Sequence, residues 1–329
     1  MKSKIDFVIT WVDGSDKEWL REKSKYDKNI NIDDSINRYR DWDNLKYWFR
    51  GVEKFASWVN KIYFITYGHL PKFLDVTNEK LVIINHEDFI NKKYLPVFNS
   101  NAIEFNIKNI KELSENFVLF NDDMFIIDSV KPSDFFKNDL PRDEYGESAI
   151  SITNDDNVFP FTLLNNLSII NKYYKKEKNI FDKRYYNLKY GKNLIRTLFS
   201  LPYDNYIGFY NPHNAQSFKK SYFDKLYSLE KEKYENTARS KFRSKDDLTQ
   251  YLIRYMQLLD KNFIPRKSSF SAYYTINDNN DSLIKHIKKR KSKLICINDT
   301  NPDIDYKKCK IEINEAFQEI LPEKSSFEK

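Results

Sequence analysis

Three hydrophobic runs in this sequence each stop at a small acidic cluster. "DFVITWV" ends at Asp13 and Asp16, "FVLF" at Asn121, Asp122 and Asp123, and "LICI" at Asn298 and Asp299. A carboxylate at the end of a buried strand is held by a rigid sheet yet faces a cleft, which suits a divalent cation bridging phosphate oxygens. Asp122, Asp123 and Asp299 are the candidate metal ligands. Asp and Asn also make turns after strands, so a single cluster says little, but three exceed what turns require. Among four histidines, His213 in "YNPHNAQSFKKS" stands before an expected helix, with Lys219 and Lys220 nearby. It can serve as a general base beside anionic groups, or simply hydrogen-bond its own loop. His69 and His86 follow a turn and a strand and read as structural or supporting; His286 sits in a charge run and is expected in solvent.

Cations recur where a phosphate would need them. Arg239, Lys241, Arg243 and Lys245 in "TARSKFRSKDD" precede a helical stripe, and Arg38 and Arg40 in "INRYRDWDNLKY" form a second pair, with Asp41 and Asp43 as possible holders. Guanidinium forks grip phosphate oxygens in pairs and offset charge on a transferring phosphoryl group. A solvated approach to a helix is the plainer reading of each. Glu104 belongs to a helix leading into the "NDD" strand, and either lies on the surface or reaches the same cleft.

The elements that must position these residues follow from periodicity. Residues 5–12, 61–66, 80–85 and 115–120 read as strands, being β-branched or aromatic runs bounded by turn signals. Leu45, Trp48, Phe49, Val52 and Phe55 recur at helical spacing behind Asp43 or Asn44, and "NSNAIEFNIKNI" reads as a helix capped by Asn99 or Ser100. Strands alternating with helices predict an α/β sheet with its ligand loops at the carboxyl ends of the strands. Residues 21–38 are polar and read as loop. Residues 132–210 are less periodic and read as a lid, an acceptor-binding insertion or irregular packing. Leu248, Tyr251, Leu252, Tyr255, Met256 and Leu259 predict a helix over 246–260, and a short last helix is expected at "INEAFQEIL".

At 329 residues, 40% of them hydrophobic and rich in Phe and Tyr, the chain can bury a large core, read here as one domain with insertions. Six glycines and the lack of a GxGxxG or GxxxxGK[ST] run disfavour the usual dinucleotide and P-loop sites. The net charge of +7 suits nucleic acid, an anionic membrane or a phosphorylated substrate. No nucleic-acid motif accompanies it, and acidic clusters interrupt the basic surface, so no specific nucleic-acid partner is expected. Asp6 and Asp13 break the N-terminal apolar stretch, and no run approaches the roughly 18 residues of a membrane span. The expectation is a cytoplasmic protein that touches a membrane through its basic surface. Cys296 and Cys309 are too few for a disulfide framework and lack the spacing of a zinc site.

Several blocks together carry a resemblance. "IDFVITWVDGSD", "RYRDWDNLKYWFRGVEKFASWVNKIYFITYG" continuing to "LPVFNSNAIEFNI" and "FVLFNDDMF", "HNAQSFKKS" with "KFRSKDD", and "CINDT" with "KSSFEK" resemble the four conserved regions of the Stealth family. Its members include bacterial capsular polysaccharide phosphotransferases and the GlcNAc-1-phosphotransferase that tags lysosomal enzymes. The resemblance spans nearly the whole chain and is weakest over 132–208. It implies transfer of a hexose or N-acetylhexosamine 1-phosphate from a UDP-sugar, such as UDP-GlcNAc, to a hydroxyl of a glycan or capsular oligosaccharide, releasing UMP and leaving a phosphodiester. It also implies a nucleotide-diphosphosugar-transferase-like (GT-A/Rossmann-like) mixed sheet flanked by helices, and a divalent cation, Mg2+ or Mn2+. Carried over by motif, Glu104, Asp123, His213 and Arg243 are the catalytic residues. Asp13, Gly14, Arg38, Arg40 and Asn121 are expected at the donor, and Asp122 and Asp299 with the metal. Asp123 either orients His213 or binds the cation.

Overall fold

The computed structural model describes residues 3–26, 40–154 and 157–329, so the expected donor residue Arg38 lies outside the described residues. The main sheet is built from β1 (Ile5–Thr10), β2 (Ile62–Thr66), β3 (Leu81–Asn85), β4 (Asn116–Asn121) and β8 (Gln216–Lys219), in the order β3-β2-β1-β4-β8. The first four are parallel, and β8 joins β4 antiparallel at the edge. Phe7, Ile9, Phe64, Val118 and Phe120 pack on one face, whereas Val8, Tyr63, Ile65, Phe117 and Leu119 pack on the other. A sheet covered on both faces needs continuous apolar strands, which is how these segments read. The strand order reverses beside β1, so a crevice opens between the carboxyl ends of β1 and β4.

A smaller sheet stands beside the first. It comprises β5 (Met124–Ile126), β10 (Ser271–Thr275) and β11 (Leu294–Asn298), in the order β10-β11-β5. β6 (Phe136–Lys137), β7 (Leu140–Asp143) and β9 (Ile264–Pro265) form a short third sheet. One core layer is completed by α2 (Leu45–Phe55), α11 (Asp281–Lys288) and α12 (Tyr306–Ile320). The opposite layer holds α4 (Ser100–Asn106), α6 (Phe159–Tyr173), α8 (Ser221–Leu229), α9 (Lys231–Ala238) and α10 (Tyr251–Leu259). The remaining helices are α1 (Lys17–Tyr26), α3 (His86–Phe89), α5 (Pro132–Phe135) and α7 (Lys192–Phe199). Gly51 lets α2 lie directly on β5, since a Cβ there would sit 2.6 Å from the Ile126 carbonyl oxygen.

Four local expectations are corrected. The polar stretch expected as loop from residue 21 is helical to Tyr26. Asp16 Oδ1 accepts from the Trp19 amide at 2.7 Å, and the helix anchors through the buried Trp19, so its apolar signal is slight. A strand, β8, stands between His213 and the helix expected after it. His286 is buried, with Nε2 2.8 Å from Ser292 Oγ and Nδ1 3.1 Å from the Tyr274 hydroxyl. The last helix begins at Tyr306, because the Asp305 side chain accepts from the Lys308 amide and starts a turn that the polar sequence hides.

Candidate active site

Asp122 and Asp123 form the turn that carries the chain from β4 in the main sheet to β5 in the smaller one. That turn is fixed from the side by β11, since the Asp123 carbonyl accepts from the Ile297 amide at 2.9 Å. The next residue back, Cys296, points its thiol at Asp123 Oδ2, 3.2 Å away. His213 arrives from the other direction. β8 pairs with β4 through Leu119 and Gln216, and continuing that register brings His213 level with the acidic turn. Its Nε2 lies 3.1 Å from the same Asp123 Oδ2. Tyr273 stands edge-on to the imidazole, with ring centres 5.9 Å apart.

The electrostatics follow from this placement. Burial alone would lower the His213 pKa, but the charge and hydrogen bond of Asp123, with Glu104 beyond, outweigh it and raise it above the ordinary 6.5; Arg243 opposes. The His213 side chain is 35% exposed although protein surrounds it, because water enters along the cleft. Glu104 projects inward from α4 and is buried. Burial pushes its carboxyl up to about 7 against the pull of Arg243, His213 and the Gln250 amide. Asp122 is open to the cleft, yet the surrounding walls and the neighbouring Asp123 carry it to about 7. Cleft water tempers that effect. Burial likewise pushes the Cys296 thiol well up, and Asp123 adds to it, so the sulfur keeps its proton at neutral pH.

Arg243 is set by a second piece of stitching. The Phe98 amide donates to the Lys241 carbonyl at 2.8 Å, and Asn99 Nδ2 reaches the Phe242 carbonyl at 3.2 Å and Asp247 Oδ2 at 2.8 Å. This ties the start of α4 to the 241–247 loop, and Arg243 Nη2 then donates to Ser100 Oγ at 2.8 Å. The other members of that basic cluster are used elsewhere: Lys241 donates to the Leu95 and Pro96 carbonyls, Arg239 to Asn236, and Lys245 lies over the Phe161 ring.

A cleft of about 940 Å³ joins these groups; Asp13, Gly14, Arg40, Asn121, Asp122, Asp123, His213, Arg243 and Asp299 all line it. Glu104 stands behind that lining and acts on it by charge. Arg40 lies 3.6 Å from Asp299 and donates to the Pro302 carbonyl at 2.7 Å. The expected holders of Arg40 are otherwise engaged. Asp41 accepts from the Asp43 amide, and Asp43 pairs with Lys310. His69 Nε2 accepts from the Asp13 amide at 2.7 Å, so it shapes the loop after β1.

Asp123, His213 and Cys296 bring ligand atoms within 4.8 Å of one another, close enough to hold a divalent cation; Asp122 and Asp299 line the cleft outside that group. Asp123 Oδ1 is buried without a hydrogen-bond partner, which is the condition a cation relieves, whereas Asp299, also without a close hydrogen bond, faces the Arg40 guanidinium at 3.6 Å. Cys296 entered the site unannounced by spacing, since its partners lie far away in sequence. Its only local signal is its place in the strand that ends at "NDT".

Residues 3–30 match the Stealth protein conserved region 1, and residues 38–143 match conserved region 2. The chain is 47% identical to a capsular polysaccharide phosphotransferase WcwK of Streptococcus pneumoniae, covering 99% of this chain and 98% of that one. It is 38% identical to the exopolysaccharide phosphotransferase cps2G of Lactiplantibacillus plantarum, over 99% and 96% of the two chains. To the receptor polysaccharide phosphotransferase WefC of Streptococcus gordonii it is 37% identical over the full length of both. Among solved structures, a galactosyltransferase LgtC in complex with donor and acceptor sugar analogues aligns over 94% of this chain and 95% of its own, with a TM-score of 0.38 and 12% identity. The bifunctional glycosyltransferase WbbM aligns over 97% of this chain and 52% of its own, with a TM-score of 0.42 and 9% identity.

Proposed function

This chain belongs to the Stealth family, and from that premise we propose that it transfers a hexose or N-acetylhexosamine 1-phosphate from a UDP-sugar to a hydroxyl of a capsular glycan. The acceptor oxygen attacks the phosphorus that bears the sugar, the bond from that phosphorus to the bridging oxygen breaks, and UMP leaves. The bond to the anomeric carbon stays intact, so the anomeric configuration is retained. The observation that supports this most is the contact between His213 Nε2 and Asp123 Oδ2 at the mouth of the crevice.

With the Nε2 proton held by Asp123, the basic lone pair of His213 lies on Nδ1, where it can take the acceptor proton. Asp123 orients the ring and stabilises the imidazolium that forms. Arg243, held by Ser100, is placed to meet the donor phosphates. Asp13 and Gly14 after β1, with Asn121 and Arg40, form the donor wall. Within residues 132–210, Asn154, Asn157 and Phe159 line the same cleft, which favours an acceptor role for these three residues and not for the rest of that stretch.

The unpartnered Oδ1 of Asp123 suits a hard cation, Mg2+ or Mn2+, better than the protonated Cys296 thiol does, and Asp299, beside Arg40 on the same cleft, would be a further oxygen ligand. Such a cation neutralises phosphate charge when bound. Fixed positioning and charge complementarity supply the rest of the acceleration.

A UDP-sugar labelled in the β-phosphate tests the reaction. The label is expected in the product as a phosphodiester seen by phosphorus NMR, with UMP released. Label recovered in UDP would make this an ordinary glycosyltransferase instead.

A further inference from the structure

The helix α7 is folded inside out. Its buried residues are polar, Asn193 and Thr197, while Ile195, Leu198 and Phe199 are 56%, 43% and 79% exposed. On a 3.6-residue repeat these three share one face, with Lys192 and Arg196 along one edge and the half-buried Leu194, packed on the core, along the other. The turn just before the helix adds Leu188, 89% exposed, and Phe181 upstream is 84% exposed.

The polar face explains how the helix is held. Thr197 Oγ1 accepts from the Glu147 amide at 3.0 Å, and Ser200 Oγ donates to Glu147 Oε2 at 2.8 Å. Asn193 lies against Gly146, where a Cβ would come within 2.9 Å of it. With Leu194 packed on the core beside these polar contacts, the anchor is complete without the Ile195, Leu198 and Phe199 face, and nothing within the described residues covers that face. Scattered exposed apolar residues are ordinary, but a face of Ile, Leu and Phe opposite a polar anchor is not.

The rim decides what covers it. Lys183, Lys189, Lys192 and Arg196 are exposed and have no carboxylate partner among the described residues. Exposed apolar side chains beside cations without carboxylate partners match an anionic lipid surface, where the former enter the acyl boundary and the latter meet headgroup phosphates. The other basic run, residues 285–293, differs. There Lys288 pairs with Glu319, Lys293 pairs with Asp128, and no large apolar side chain stands exposed. No described helix is long and apolar enough to cross a membrane, so attachment here lies in the interface plane.

We propose that the Leu188, Ile195, Leu198 and Phe199 face, with its rim of Lys183, Lys189, Lys192 and Arg196, docks the full chain onto an anionic membrane surface. The test is co-sedimentation of the purified full-length protein with phosphatidylglycerol-containing vesicles and with pure phosphatidylcholine vesicles. Binding is expected to the anionic vesicles, to weaken with salt, and to fall roughly tenfold or more in I195S/F199S and in K192E/R196E. Melting temperature and turnover with soluble donor and acceptor should be unchanged in both variants. Failure of the wild type to bind anionic vesicles, or wild-type binding by both variants, would overturn the proposal. So would a concentration-dependent dimer abolished by I195S/F199S in a protein that ignores vesicles, because the face would then join two copies.

Discussion

At the carboxyl end of β1, Asp13 Oδ1 accepts from the amide and hydroxyl of Ser15, and Asp16 Oδ1 accepts from the Trp19 amide, hydrogen bonds all within three residues, with only the His69 ring reaching Asp16 from afar, at 3.9 Å. At the end of β4, Asp123 Oδ2 is met by His213 and by Cys296, 90 and 173 residues away in sequence. Both strand ends read alike as acidic turns. The difference is where their oxygens are directed: a carboxylate satisfied by its own turn shapes a loop, whereas one satisfied from distant elements is a place where the fold converges. In the proposed reaction, Asp13 therefore acts on the donor side through loop shape, and Asp123 acts through its contacts with His213 and Cys296.

The largest effect should come from removing the base. His213→Ala is expected to lower kcat on the order of 10² to 10⁴-fold with an unchanged circular dichroism spectrum and melting temperature. Turnover within a few-fold of wild type would end the base assignment. Asp123→Asn should cost nearly as much, and it carries a second readout. Because the Asp123 carboxylate raises the His213 pKa, its loss should move the imidazole titration, followed by NMR in chelator-treated protein, to lower pH. An unmoved titration would leave Asp123 with no hold on the ring.

Glu104 gives an effect on stability. The folded protein keeps its carboxyl proton up to about 7, whereas the unfolded chain releases it near the ordinary 4.5. Folding stability therefore falls as pH rises between those values and is level above them. Glu104→Gln removes that dependence, so its stability relative to wild type should grow by about 3 kcal/mol from pH 4 to pH 8, with activity lost. Denaturant titrations at the two pH values check it; parallel curves would mean that Glu104 ionises freely.

The smallest effects belong to β1. Asp13→Asn keeps an acceptor for Ser15 and should change kcat/KM by only a few-fold, while Asp16→Ala should cost about 1 kcal/mol of stability and leave kcat intact. A loss in Asp13→Asn comparable to that in Asp123→Asn would erase the distinction between the two strand ends.

Much of this was legible beforehand. The buried parallel strands announced themselves as continuous apolar runs, and α2 by its 3.6-residue stripe. Glu104 was ambiguous, since one glutamate on a helix says nothing of which way it faces. The burial of His286 was hidden in a charge run, because Ser292 and Tyr274 satisfy it from outside that run. The exposed face of α7 was invisible for a related reason: an apolar stripe at helical spacing ordinarily points inward, and here Glu147 holds the polar side instead.

What the sequence by itself determined is the α/β layering, the acidic strand ends and the family, because strand and helix periodicities and contiguous motifs are local properties of the chain. What only the tertiary structure decided is which acidic strand end gathers partners from distant parts of the chain. The carboxyl end of β4, the edge strand β8 and the smaller sheet bring Asp123, His213 and Cys296 together. That convergence depends on strand order and register between segments far apart in the chain, and no window of adjacent residues contains it.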